Sequence, residues 1–95
     1  MAARILIVDD EPMNLDLLEQ ELLDQGHHIE RAADGPETLR RIESFVPDLI
    51  LLDYQMPQMN GLDVLREIRN RGERIPVIMI TANGTIELAV RAMKE

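Results

Sequence analysis

Two periodicities alternate along the chain. Ile5, Leu6, Ile7 and Val8 form a short unbroken apolar run, the pattern of a strand buried on both faces of a sheet. From residue 13 to 25 the spacing becomes helical: Leu15, Leu18 and Leu22 recur on one side, with Asp16, Glu19, Gln20 and Asp24 among the rest. Gly26 follows at a position suited to a left-handed cap. His28–Ala32 is a weaker strand pattern with polar residues, as expected at a sheet edge. Asp34 is the expected N-cap of a second helix entered through Gly35 and Pro36. Leu39, Ile42 and Phe45 mark its inner face, and Pro47 stops it. Leu49, Ile50, Leu51 and Leu52 are a second buried run. Asn60 and Gly61 open a third helix carrying Leu62, Leu65 and Ile68. Pro76 leads into a further apolar strand, Val77–Ile80. Thr85 is placed to cap a last helix with Ile86, Ala89, Val90 and Met93 at helical spacing.

The order is strand–helix four times over. With right-handed crossovers it predicts an α/β fold, a parallel sheet with helices on both faces. The doubly wound arrangement expected for it has the strand order 2-1-3-4. At 95 residues the chain is one domain, because two halves would each be too short to bury a core. Val77–Ile80 is apolar at every position, yet that order places it at an edge. A bare apolar edge is a liability, so the pattern implies a missing neighbour: another strand with its helix, or a second chain.

Composition narrows the function. No apolar run approaches the length of a membrane span. The N-terminus passes from a short apolar stretch straight into aspartates and does not read as a secretory signal, so a cytoplasmic address is expected. The chain has no cysteine, which removes disulfides, thiolate zinc sites and thiol catalysis. Eighteen acids against ten bases give a net charge of −8, which argues against nucleic-acid binding by bulk electrostatics and favours cations and basic partner surfaces.

The position of the acids is more informative than their number. Ligands of open parallel sheets bind beyond the carboxyl ends of the strands, where the strand order reverses. Here that point lies between the first and third strands. The first ends in Asp9, Asp10 and Glu11, and the third ends in Asp53. At least three of these four carboxylates are expected to converge. Bare carboxylates about 5 Å apart repel by several kcal/mol at an intermediate dielectric, so such a cluster is hydrated, protonated or neutralised by a cation. Oxygen ligands with open water positions suit Mg²⁺, with Mn²⁺ or Ca²⁺ as alternatives. Taken singly, Asp10 or Glu11 is as well explained by stabilising the start of the first helix. Thr81, at the end of the fourth strand, is placed to donate a hydrogen bond to an anion held beside Asp53. Tyr54 points to the opposite side of the strand and is expected to pack. His27 and His28 lie at the far end of the sheet and are read as surface residues, and the Met residues as packing.

The first turn has no glycine-rich phosphate loop, which argues against nucleotide binders. Flavodoxins place hydroxyl and glycine residues there to hold a flavin phosphate, which acids would repel. Dehalogenase-type phosphatases space two aspartates by one residue after the first strand, whereas here the two are adjacent.

Residues 5–12, Ile-Leu-Ile-Val-Asp-Asp-Glu-Pro, resemble the opening of bacterial response-regulator receiver domains. Residues 49–61 resemble their phosphoacceptor segment, including Met56-Pro57 and Gly61, and residues 77–82 resemble their fourth strand. The resemblance covers the whole chain. It implies a flavodoxin-like receiver fold in which Asp53 accepts a phosphoryl group from a histidine kinase or phosphotransfer protein. It further implies that Asp10, Asp53 and the Gln55 backbone carbonyl ligate Mg²⁺, that Asp9 acts through a metal-bound water, and that Thr81 bonds the phosphoryl group and moves on activation. Such a domain assists its own phosphorylation and dephosphorylation but is not a free-standing enzyme. The family continues with a fifth strand bearing a Lys, then a fifth helix. Here the sequence runs to Glu95, and its one Lys, Lys94, falls in the fourth helix. Residues 1–95 are therefore expected to be a receiver lacking its last strand and helix, with low phosphorylation yield and a homodimer formed through the uncovered edge. A second reading is an associating interaction module with little or no phosphotransfer, and a third, more distant one is a metal-dependent phosphatase.

Overall fold

The computed structural model of the protein describes residues 2–80. The elements in chain order are β1 (Arg4–Val8), α1 (Pro12–Asp24), β2 (His28–Ala32), α2 (Gly35–Phe45), β3 (Leu49–Asp53), α3 (Gly61–Asn70) and β4 (Val77–Ile80). The strands form one parallel sheet, as the alternation predicts, in the order β2-β1-β3-β4 expected of a doubly wound fold. The last helix expected from the sequence and Thr81 lie outside the described residues.

Each strand's two-residue period divides its side chains between two layers. Leu6, Val8, Ala32, Ile50, Leu52, Val77 and Met79 face α2 and α3, where Leu39, Ile42, Phe45, Val64, Leu65 and Ile68 complete the larger core. Ile5 and Ile7 face α1 and pack against Leu15, with Leu18, Leu22, Ile29, Leu49 and Leu51 half-buried around them. β1 is thus covered on both sides, which is why its run is unbroken. In β4 burial alternates: Val77 and Met79 are buried, while Ile78 and Ile80 stand 43% and 38% exposed. Among the described residues β4 pairs only with β3 and is an edge, as the strand order requires.

Local chemistry sets the boundaries. α1 starts at Pro12, one residue before the apolar spacing suggests, because proline is pre-organised for the first helical position. It ends at Asp24 with Gln25 as C-cap, and the chain turns away at Gly26, whose φ of +89° costs a glycine little. Asp34 caps α2 by accepting the Glu37 backbone N–H at 2.8 Å, and Glu37 Oε1 accepts the Ala33 N–H at 2.8 Å. Asn60 and Asp63 form a reciprocal capping box on α3. The inner face of α3 also includes Val64, fully buried and not singled out by the sequence pattern. Among the described residues no helix is long and apolar enough to cross a membrane.

Candidate functional site

β1 and β3 run side by side in register, Val8 opposite Leu52, so their next residues, Asp9 and Asp53, emerge together at the carboxyl edge. Carboxylate oxygens of Asp9, Asp10 and Asp53 lie within 4.8 Å of one another. They line a cleft of about 280 Å³ together with Glu11, Asn14, Gln55 and Ile80. Of the four acids expected here, three converge. Glu11 stays on the rim as the N-cap residue of α1 and makes no side-chain capping bond.

The three acids are held differently. The Asp9 carboxylate is fixed at both oxygens: Oδ1 accepts the Glu11 backbone N–H at 2.9 Å, and Oδ2 accepts the Asn14 side-chain N–H at 3.2 Å. Asp10 is exposed. Asp53 is half-buried, and its Oδ1 receives the Gln55 backbone N–H at a long 3.4 Å. Burial, and then the charges of Asp9 and Asp10, push the Asp53 carboxyl up to about 6, against a smaller opposing effect of the Gln55 and Tyr54 backbone N–H groups. All-oxygen donors carrying uncompensated negative charge fit a hard divalent cation.

This raised pKa has a stability consequence. In the unfolded chain Asp53 titrates near its ordinary value, so between that value and about 6 the folded state binds more protons than the unfolded state. The contribution favouring the fold is complete at low pH and is lost as pH rises through about 6. Asp53→Asn should therefore stabilise the metal-free protein at pH 7. Discounted for the solvent around this side chain, the gain is on the order of 1 kcal/mol. Urea unfolding of both proteins at pH 4.5 and pH 7 checks it: the difference should be larger at pH 7.

The loop after Asp53 is tied down by Gly61. Its N–H donates to the Tyr54 carbonyl at 2.7 Å. A Cβ at this position would lie 2.7 Å from the Asp53 carbonyl oxygen and 2.8 Å from Tyr54 Cα, both backbone atoms of the segment that presents the acid. Gly61→Ala is expected to cost about 1–3 kcal/mol, as overpacking does. Its signature is a lower urea midpoint at unchanged slope.

Of the other residues the sequence singles out, Tyr54 is half-buried against the larger core, as expected. His28 is exposed. His27 is half-buried at the opposite end of the sheet, where its Nδ1 accepts the Ala3 N–H at 3.0 Å. Asn14 and Ile80 are site residues that the sequence pattern did not reveal. An exposed helical Asn carries no periodic signal, and Ile80 reads only as part of an apolar strand.

The sequence matches the family model described as response regulator receiver domain over residues 5–95. The chain belongs to the response-regulator receiver family. The receiver is 37% identical over 93 residues to response regulator MprA of Mycobacterium ulcerans, covering 98% of this chain and 40% of that protein. It thus spans less than half the length of the curated relatives it matches. Among solved structures it superposes on NtrX from Brucella abortus in complex with ADP with a TM-score of 0.86 at 40% identity, over 99% of this chain and 22% of that one. It also superposes on response regulator TrrA from Thermotoga maritima in complex with Mg²⁺–BeF, with a TM-score of 0.81 at 38% identity, over 97% of this chain and 81% of that one. A receiver of this family is a component of two-component signalling.

Proposed function

We propose that the receiver takes a phosphoryl group on Asp53 from a phosphohistidine of a kinase or phosphotransfer partner, with Mg²⁺ held at the acidic cleft. The observation that carries this reading is the convergence of Asp9, Asp10 and Asp53 within 4.8 Å at adjacent strand ends in a chain of this family. Asp10, Asp53 and the Gln55 carbonyl would hold the cation directly, and Asp9 through water. The Mg²⁺ complex of the related TrrA supports that choice of metal. When bound, the cation neutralises charge on the transferring oxygens.

The remaining chemistry belongs to the chain. Asp53 must be ionised to attack, and its pKa of about 6 leaves most of it so at neutral pH. One carboxylate oxygen attacks phosphorus in line, the phosphorus–nitrogen bond to the donor imidazole breaks, and that nitrogen keeps the electron pair. Gly61 and the capping box of α3 fix the backbone that presents Asp53. Thr81, the residue after Ile80, would donate its hydroxyl to the phosphoryl oxygen. The product alters which proteins the receiver binds; catalytic turnover of free substrates is not part of this role. Incubation with acetyl phosphate and Mg²⁺, followed by intact-mass measurement, tests the reading: gain of a single phosphoryl group is expected, and an unchanged mass contradicts it.

Association of two copies is the second element of the proposal. Among the described residues Ile78 and Ile80 stand exposed on an edge strand, and Met13 and Leu17 are 69% and 64% exposed on α1. Apolar surface of this kind favours association. Sedimentation at micromolar concentration should report a dimer, weakened by Lys at Ile78; a stable monomer counts against it.

A further inference from the structure

We infer that Asn14 is a positioning residue for the cation site, holding the Asp9 carboxylate in the orientation the site needs. The inference rests on the reading that Asp9, Asp10 and Asp53 hold Mg²⁺. It starts from an asymmetry in how these acids are supported. Asp9 Oδ1 is held by the Glu11 backbone N–H, two residues away, a local turn that any side chain at Glu11 would preserve. Asp9 Oδ2 is held by a side chain instead, the Nδ2 of Asn14 at 3.2 Å. Among the described residues this is the one side-chain donor bonded to any of the three clustered acids.

Asn14 is placed for this by the helix start. Pro12 sets the first turn of α1, and the Asn14 backbone N–H donates to the Glu11 carbonyl at 3.1 Å. The side chain then reaches back over the N-terminal turn, in the direction helical side chains lean. It lines the acidic cleft and also an adjoining apolar one formed with Leu17, Leu18 and Ile80. A neutral amide suits the position. Its N–H donates to a carboxylate without adding positive charge that would compete with a cation, and without the negative charge of a fourth acid. With both oxygens bonded, Asp9 has its rotamer fixed before the cation arrives. Groups that orient metal ligands in this way commonly change affinity by about 10–100-fold when removed.

The test is calorimetric titration of Mg²⁺ into the full chain and its variants. Asn14→Ala should weaken Mg²⁺ binding by about 10-fold, the lower end of that range because the amide is open to solvent. It should fold normally, since alanine is a better helix former than asparagine. In an Asp9→Asn background the same substitution should change affinity little, because the group it acts through is gone. The ¹³C shift of the Asp9 carboxyl in the metal-free protein should also move in Asn14→Ala, while that of Asp10 stays. Equal affinity of the parent and Asn14→Ala overturns the inference and leaves the cation site standing. An undiminished loss in the Asp9→Asn background overturns it as well, since Asn14 would then act by another route. A parent chain that binds no Mg²⁺ overturns the site itself, and this inference with it.

Discussion

Asp53→Asn should take up no phosphate from acetyl phosphate in Mg²⁺, while the parent chain gains one phosphoryl group. Even if the parent yield is low, the variant should give none, because the substitution replaces the nucleophilic carboxylate by a neutral amide while keeping size and shape. An amide oxygen at this position is a poor nucleophile, and the other two acids cannot substitute for it. Asp9 has both oxygens engaged, by Glu11 and Asn14. Asp10 is exposed, outside the partly desolvated position at the end of β3 that raises the Asp53 carboxyl. Phosphate on the Asn variant would move the nucleophile elsewhere and end the assignment. The variant should also be slightly more stable than the parent without metal, so lost phosphorylation in a well-folded protein is attributable to chemistry.

Mg²⁺ should stabilise the fold. Three carboxylates within 4.8 Å repel in its absence, and a cation bound only by the folded state shifts the equilibrium by mass action. At 100 times its dissociation constant the gain is about 2.7 kcal/mol. For a domain of this size each kcal/mol raises the melting temperature by roughly 4–8 °C, so the shift is easily seen in a thermal scan. Asp10→Asn should lose most of it, and Na⁺ at matched ionic strength should not reproduce it. A melting temperature that ignores millimolar Mg²⁺ argues against a cation site here.

Much of this was legible before any coordinates. The apolar run at β1 showed a strand covered on both faces, that at β3 one buried on one face and half-buried on the other. The capping residues Asp34 and Asn60 marked helix starts that the structure confirms. Strand order brought four acids, Asp9, Asp10, Glu11 and Asp53, to one point, because in a parallel sheet the reversal point is a property of the topology. The resemblance to receivers singled out Asp9, Asp10 and Asp53, the three that converge. What the pattern could not give depends on side-chain reach. Val64 turns inward because α3 meets both the sheet and α2, which widens its buried face beyond the stripe of Leu65 and Ile68. The close approach of Gly61 to the Asp53 carbonyl is a backbone contact across a loop, invisible to periodicity. Asn14 was missed for a related reason: its partner Asp9 lies five positions back, across the end of a strand and the start of a helix. The separation of Glu11 from the acidic triplet likewise follows from where the helix begins, at Pro12, and not from its charge.

The central claim is that Asp53 is the residue that carries the phosphoryl group. An acyl phosphate is reduced by borohydride to an alcohol, which converts a phosphorylated aspartate into homoserine. The chain would be treated with acetyl phosphate and Mg²⁺, reduced, digested and sequenced by tandem mass spectrometry. The account predicts homoserine at position 53 alone, and only when Mg²⁺ was present. Homoserine at position 9 or 10, or reduction that proceeds equally with the cation removed, would contradict it.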